Sequence, residues 1–335
     1  MGLSLIKYPA IDAKLKGMYA KQLNKNDLLE LSKQPDVISV ISSLKSKFSP
    51  LEGIRDKATR VEVEDALDNV LIEDINKIKI YLSNDEQKIF SVFISKYEIK
   101  CLKSILKNLI SSSKIESNTA DVDVWVNKIF KNIQGIVTAQ TIPEYIDSVQ
   151  KSDYAKTIEE LVSKDNIPIF ELETKLDKEY FLHLQRSIQN KSKEVKNIVG
   201  TRIDTLNIIW ILRAKKYYSL SNEELKNLLI PIYYNLRKSN IEELIDANSF
   251  DEIQGILSKT IYKKFANSTE EGIEKDIKIY LKHQYEKILS QNKFDLSFVF
   301  SYIYLSEYQK SNVVHILGGI YYHLDKNKIE SDLII

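Results

Sequence analysis

Carboxylate side chains come closest, in this sequence, to the pattern of a catalytic or metal-binding site. Two groups recur along the chain: Glu62, Glu64, Asp65 and Asp68, and then Glu171, Glu173 and Asp177. Paired carboxylates can act as general acid and base, and they can also hold a metal ion. Their spacing places them on the polar face of amphipathic helices, where solvated carboxylates are common. We interpret both groups as solvated faces and predict no catalytic residue and no metal site.

The histidines and glycines indicate no other chemistry. Two zinc ligands on one helix face need a spacing of three or four residues, whereas His315 and His323 are eight residues apart. The remaining histidines, His183 and His283, are farther from any other. Gly318 and Gly319 form an isolated pair outside any glycine-rich phosphate-binding motif. We therefore predict no cofactor.

The composition excludes several classes of function. The 48 Lys and Arg residues nearly balance the 47 Asp and Glu residues, so the broad basic excess of a nucleic-acid-binding protein is missing. Cys101, the single cysteine, rules out an internal disulfide and indicates a reducing compartment. The longest apolar stretch, residues 298–324, is interrupted by Glu307, Gln309 and Lys310. We expect no nucleic-acid partner and no direct insertion into a membrane.

The elements that position these side chains are predicted to be helices. Apolar residues recur at helical intervals in residues 203–213 and 298–322, and no alternating run typical of a strand is present. Only 9 glycines and 6 prolines in 335 residues predict few turns and long helices. Ser/Thr-x-x-Glu pairs predict helix starts at Ser83/Glu86, Thr141/Glu144, Ser221/Glu224, Ser239/Glu242 and Ser268/Glu271. The predicted fold class is all-α.

The sequence repeats itself three times. An apolar phrase occurs at residues 101–107, 207–213 and 312–318, so that its copies begin 106 and 105 positions apart. Acidic phrases precede it in the same order, at residues 64–68, 173–177 and 274–278. A third landmark, an apolar–acidic pair followed by an aspartate, is found at residues 29–36, 146–153 and 245–251. Repeated landmarks in constant order indicate a triplicated helical unit.

This repetition divides the chain into three predicted helical repeats, residues 1–120, 121–238 and 239–335. The small, polar segment at residues 112–120 is the clearest linker by composition. Each repeat is larger than the usual unit of a helical solenoid, and three such repeats could close around an axis.

Residues 200–231 of the second repeat resemble a known family. Asp204, Asn207 and Arg213, followed by Leu229-Ile230-Pro231, are similar to the C subunit of archaeal-type (A-type) and bacterial vacuolar-type (V-type) rotary ATPases. The eukaryotic relative is the V-ATPase d subunit. The family pattern is an acidic residue, an asparagine three positions later, and an apolar run that closes on arginine.

The other two repeats match that pattern in part. The first has Glu98 at the acidic position, but Cys101 replaces the asparagine. The third has Asn312, but Gln309 and Gly318 replace the acid and the arginine. Length, triplication and the order of the landmarks extend the resemblance to essentially the whole chain.

The resemblance implies an all-helical funnel of three similar helical-bundle subdomains around a pseudo-threefold axis. In the family, this funnel caps the membrane proteolipid ring on its cytoplasmic face and receives the end of the central-stalk shaft. The chain is then expected to be a peripheral rotor subunit that transmits torque for ATP-coupled H⁺ or Na⁺ transport and has no catalytic activity of its own. Its partners would be the shaft subunits of the ATP-hydrolysing head and the ring.

Two other classes of function remain open at this point. The first is a helical-repeat scaffold that binds soluble protein partners. The second is an enzyme with a site inside the helical bundle, which a pocket of strongly perturbed titratable groups would reveal. For the motif residues Asp204, Asn207, Arg213, Glu98 and Asn312, we expect a structural role, because buried polar groups must be hydrogen-bonded. Direct contact with the shaft is the alternative.

Overall fold

The computed structural model describes residues 4–110, 120–163, 169–218, 220–291 and 295–335, and every regular element among them is a helix. This confirms the all-α prediction. Apart from Ala120, the predicted linker at residues 112–120 lies outside the described residues.

Sixteen α-helices occur among the described residues, together with short 3₁₀ turns at Ser49–Leu51, Lys131–Val137 and Lys263–Asn267. In chain order the helices are α1 (Ser4–Tyr19), α2 (Lys25–Ser32), α3 (Val37–Lys47), α4 (Arg60–Lys79), α5 (Asn84–Ile110), α6 (Ala120–Lys128), α7 (Ile142–Val149), α8 (Ala155–Val162), α9 (Ile169–Ser187), α10 (Lys193–Tyr217), α11 (Asn222–Leu228), α12 (Lys238–Asp246), α13 (Phe250–Ser258), α14 (Ile273–Leu289), α15 (Leu296–Tyr321) and α16 (Lys326–Asp332).

The chain divides into two compact units. The first contains Met1–Lys164 and Tyr285–Ile335, and the second contains Asp165–Gln284, so that the division falls within α14. The three repeats at residues 1–120, 121–238 and 239–335 stay a prediction.

Short polar side chains begin several helices where the sequence predicts them. At the start of α5, the backbone amide of Ser83 donates to the Glu86 carboxylate (2.9 Å), and the Ser83 hydroxyl accepts from the Glu86 amide (3.4 Å). Ser221 and Glu224 form the same reciprocal pair before α11, and Thr141 caps α7. These contacts confirm three of the five predicted starts, since each satisfies amides that have no partner inside the helix.

The other two predicted starts are wrong. Helix α12 begins at Lys238, before Ser239, because the Asn240 side chain accepts from the backbone amide of Arg237 and takes the role expected of a glutamate. Helix α14 begins only at Ile273. The hydroxyl of Ser268 donates to Asp276 (2.5 Å) instead of capping the helix.

In the first unit, one apolar core joins the two ends of the chain. Buried side chains of α2, α3 and α4 pack in this core with buried side chains of α15 and α16: Leu28, Leu31, Val40, Ile41, Leu44, Val63, Leu67, Val313, Ile316, Leu317, Ile329 and Leu333. We call this cluster the terminal core. Burial of this cluster holds the last two helices, α15 and α16, against α2, α3 and α4 near the start of the chain.

A layer of stacked aromatic rings lies between α5 and α15 in the same unit. The ring of Phe93 stacks on that of Phe300 with centroids 3.8 Å apart, and the edge of Tyr304 meets Phe93 at 5.3 Å. Tyr97 stacks on Trp125 of α6. Such pairs add directional contacts to the area they bury. Cys101 of α5 is buried as expected.

In the second unit, α10 is buried on most of its faces, which confirms its prediction as an interior helix. Its buried residues include Ile203, Ile208, Trp210 and Ile211. At Gly200, an added Cβ would lie 2.1 Å from the ring of Tyr234, so the close approach of these segments requires glycine. Within the described ranges, no helix has both the length and the hydropathy needed to cross a bilayer.

Candidate functional site

Asp204 is a buried acceptor that organises the segment after α11. One carboxylate oxygen accepts from the backbone amides of Asn235 (2.8 Å) and Leu236 (3.3 Å), and the other accepts from the amide of Tyr234 (3.3 Å). The hydroxyl of Tyr262 donates to Asp204 as well (2.8 Å). Burial raises the pKa of Asp204, and these hydrogen bonds oppose the shift. The carboxylate therefore holds three consecutive amides and one tyrosine in place.

One turn further along α10, Asn207 forms a two-way contact with Ile230. Its side-chain amide donates to the Ile230 carbonyl (3.0 Å), and its side-chain oxygen accepts from the Ile230 amide (3.0 Å). Asn312 of α15 makes the same pair of bonds with Ile334, at 2.9 and 2.8 Å. Each asparagine thus holds the segment that follows a short helix, α11 in one case and α16 in the other, and hydrogen-bonds both the N–H and the C=O of one buried residue.

Glu98 of α5, at the corresponding place of the predicted first repeat, has a simpler environment. One of its carboxylate oxygens accepts from the hydroxyl of Ser152 (2.9 Å) and from the side-chain amide of Asn132 (3.2 Å). Burial raises the pKa of Glu98, and these two hydrogen bonds lower it by less. No backbone amide is among the donors that the structure gives this carboxylate.

Gln309 has a role that sequence reasoning missed. Its side-chain oxygen accepts from the backbone amide of Leu23 (2.7 Å), one residue before the Asn24 N-cap of α2. Asp204, 105 positions earlier, accepts from Leu236, one residue before the Arg237 N-cap of α12. The glutamine therefore keeps the acceptor of the family pattern although it carries no charge. Its spacing from Asp204 was the available signal.

Arg213 is not brought together with Asp204 and Asn207. It lies near the end of α10, and its guanidinium makes two bonds to Glu274 of α14, at 2.7 and 2.6 Å. The bidentate pairing raises the pKa of Arg213 and lowers that of Glu274. Because the Arg213 side chain is 44% exposed, this pair is a partly solvated tie between two helices.

The carboxylate groups of the sequence do not form a common site. The Glu62 carboxylate accepts from the backbone amide of Thr59, the N-cap of α4, and Glu64 pairs with Arg60 (2.7 Å). Our interpretation of the first group as a solvated face is wrong for Asp68, which is 2% exposed and lies 2.6 Å from the Lys310 ammonium of α15. Within the part of the chain that the structure describes, no three His, Cys, Asp or Glu side chains converge as metal ligands.

Two concave surfaces lie at the ends of long helices, one in each unit. In the first unit, a cleft of about 640 Å³ is lined by α4, α5 and α15, including Glu64, Gly318 and Tyr322. In the second, a cleft of about 500 Å³ is lined by the end of α10 and the start of α14, including Arg213 and Tyr217. Helices α10 and α15 each end at an exposed pair of tyrosines, Tyr217-Tyr218 and Tyr321-Tyr322. The structure thus presents similar surfaces at positions about one repeat apart.

Comparison with known proteins gives this architecture a family. The model of the ATP synthase (C/AC39) subunit family matches residues 11–332. The C subunit of the A-type ATP synthase of Methanocaldococcus jannaschii is 24% identical over 100% of this chain and 88% of its own length. Its counterparts from Pyrococcus furiosus (26% identical; 80% of this chain, 71% of that protein) and Desulfurococcus sp. (24%; 86% and 78%) are similar over most of the chain. The match over nearly the whole length shows that this chain belongs to the C/AC39 family of V/A-type ATP synthase subunits.

Proposed function

We propose that this chain is a non-catalytic central-stalk subunit of a rotary ATPase, peripheral on the cytoplasmic face of the membrane. It links the shaft of the ATP-hydrolysing head to the proteolipid ring and transmits torque for ATP-coupled H⁺ or Na⁺ transport. Membership of the C/AC39 family supports this proposal, since the relatives named above are A-type ATP synthase subunits. The all-helical structure supports it too, because densely packed helices resist deformation.

The observation that carries the proposal is the recurrence of one locking arrangement. Asn207 and Asn312, 105 positions apart, each bind both polar groups of one peptide segment after a short helix. Asp204 and Gln309 each accept from the backbone amide one residue before the N-cap of a short helix, α12 for Asp204 and α2 for Gln309. A body in which long helices are tied in this way to the segments around them is suited to transmit force. As the family resemblance implies, we propose a funnel of three similar subdomains, residues 1–120, 121–238 and 239–335, around a pseudo-threefold axis.

We further propose that the exposed tyrosine pairs bind the shaft. A shaft does not share the pseudo-threefold symmetry of its socket, so the contacts have to adapt to different faces of the partner. Tyrosine suits this task, because its ring offers a large apolar area and its hydroxyl one adaptable hydrogen bond. Tyr217 and Tyr322 are 68% and 67% exposed and are available for such contacts.

The test is purification of the ATPase in mild detergent from cells that carry a tagged copy of this chain. We expect the ring protein and the nucleotide-binding subunits to be recovered with it. Deletion of the chain should leave ATP hydrolysis by the soluble head and abolish ion transport coupled to it. Recovery of soluble proteins alone would favour a scaffold, and full ion transport after deletion would refute the rotor role.

A second arm tests the tyrosine contacts. Changing Tyr217 and Tyr322 to serine should lower recovery of the shaft subunits while the ring is retained. Tyr233→Ser, at a 42% exposed tyrosine outside both helix ends, is the matched control and should change neither. Loss of the ring with retention of the shaft would show that the tyrosines face the other partner.

A further inference from the structure

The ion pair at the end of α10 has no obvious counterpart at the end of α15. Arg213 ties α10 to α14 through Glu274. The position 105 residues later is Gly318, which has no side chain to make such a tie. The acidic partner is nevertheless present, since Glu64 near the start of α4 corresponds to Glu274 in the repeated acidic phrase and lines the same cleft as Gly318.

The missing guanidinium is supplied from the opposite helix. Arg60, in the first turn of α4, donates from Nε to Glu64 at 2.7 Å. Its Nη1 atom lies 3.4 Å, and its Cζ atom 3.8 Å, from the place where a Cβ on Gly318 would be. The Arg60 guanidinium therefore lies beside the α15 backbone, where an arginine side chain from position 318 would begin.

We propose that Arg60 of α4 has, at the end of α15, the role that Arg213 has at the end of α10. It is a positioning residue that holds the end of α15 against the start of α4. Its guanidinium pairs with the acid of the repeated phrase and lies beside α15 at the place that the glycine leaves open. Val63 of α4 and Leu317 of α15, close in sequence to Arg60 and Gly318, belong to the terminal core, where the last helices of the chain meet the first without a covalent connection. This inference does not depend on the proposed function.

The arrangement makes Arg60 and Gly318 interdependent. Among the residues that the structure describes, no heavy atom other than those of Arg60 lies within 4 Å of a Cβ placed on Gly318, apart from its own chain neighbours and helix backbone. The position also opens on the cleft of about 640 Å³, which has room for a long side chain. Gly318→Arg alone brings two guanidinium groups together, whereas Gly318→Arg with Arg60→Ala restores one guanidinium for Glu64.

The experiment is a double-mutant cycle on the full-length chain, followed by thermal unfolding and by amide hydrogen exchange at the end of α15. We expect Arg60→Ala and Gly318→Arg each to lower Tm by a few degrees and to speed exchange there. The double variant should recover most of both losses, because the guanidinium returns from the other helix. A double variant that loses the sum of the two single losses would overturn the proposal.

Two controls separate this result from general effects. Arg55→Ala removes a 76% exposed arginine that pairs with Glu62 and should leave Tm unchanged. Gly319→Ala places a methyl group 2.6 Å from a side-chain carbon of Ile329, so it should destabilise the chain equally with and without Arg60. If Arg60→Ala rescued Gly319→Ala as well as Gly318→Arg, the pairing would not be specific and the proposal would fail.

Discussion

Glu98→Gln and Asp204→Asn remove one negative charge from corresponding positions, yet we expect opposite results. Both donors to Glu98 reach the same carboxylate oxygen, so a glutamine can present its oxygen to Ser152 and Asn132 and turn its NH₂ group to the other side. The four donors to Asp204 are divided between its two oxygens, three on one and the amide of Tyr234 on the other. An asparagine would therefore point its NH₂ group at a donor.

The expected losses of stability follow from the number of donors that each substitution leaves without an acceptor. Asp204→Asn leaves one backbone amide without an acceptor, which costs about 1–3 kcal/mol, and it weakens the remaining charge-assisted bonds. We expect about 2–4 kcal/mol less stability and a Tm about 4–16 °C lower, from roughly 2–4 °C per kcal/mol. Glu98→Gln should stay within about 1 kcal/mol of the wild type.

The pH dependence of stability is a second test, and its direction follows from the raised pKa of Glu98. Because burial raises the pKa of Glu98 in the folded chain, the unfolded chain loses this proton first as the pH rises above about 4.3. Wild-type stability therefore falls through the interval between the unfolded and folded pKa values, and this penalty remains at higher pH. Glutamine does not titrate, so the stability of Glu98→Gln relative to wild type should rise over the same interval and then level off.

The assay is chemical denaturation of the full-length chain at several pH values from about 4 to 8. This range begins near the usual pKa of glutamate and extends well above it. Exposed Asp147→Asn of α7 is the control for loss of a carboxylate. The reasoning is refuted if Glu98→Gln destabilises as much as Asp204→Asn at neutral pH. A difference between Glu98→Gln and wild type that does not change with pH would refute the burial argument alone.

Three further substitutions test the packing. Asn312→Ala should cost about 2 kcal/mol and speed hydrogen exchange after α16, because it leaves both polar groups of one buried peptide segment unpaired. Gly200→Ala should cost about 1–3 kcal/mol by thermal unfolding, since its Cβ would lie 2.1 Å from an aromatic ring. Gly255→Ala in α13 should instead stabilise by about 0.5–1 kcal/mol, because its Cβ would meet no described atom within 4 Å beyond its own helix backbone and chain neighbours. Asp68→Ala should cost about 3–5 kcal/mol by stranding the Lys310 ammonium, and removing both partners should cost less than the sum of the two single losses.

The long helices could be predicted from the sequence because their signals are local. Apolar spacing and a capping pair identify α5 and α11, since both features depend on residues within a few positions of each other. The start of α12 was misplaced because an asparagine three residues after the N-cap performs the task assigned to glutamate. Local rules thus find the elements and err at their ends.

Partners distant in sequence could not be predicted. Asp68 lies in a helix whose polar spacing indicates a solvated face, yet it is buried and lies 2.6 Å from the ammonium group of Lys310, a residue of the distant helix α15. The role of each residue in the third repeated landmark could not be predicted either. Its aspartates differ in role, since Asp36 caps α3 whereas Asp251 lies inside α13. The feature that does recur is a short polar N-cap, Asp36 on α3, Thr141 on α7 and Ser249 on α13, and its side chain changes from copy to copy.

At the acidic position of the family pattern, too, the residue type changes while its role is kept. At the acidic position the three predicted repeats carry Glu98, Asp204 and Gln309, and each of these side chains accepts a hydrogen bond from a residue outside its own helix. A property shared by a carboxylate and an amide is acceptor capacity, not charge. If all three repeats contribute alike to torque transmission, the charge at this position cannot be the quantity that is used. We therefore expect rigid attachment of each long helix, and not ionisation of the motif acids, to decide whether ATP hydrolysis stays coupled to ion transport.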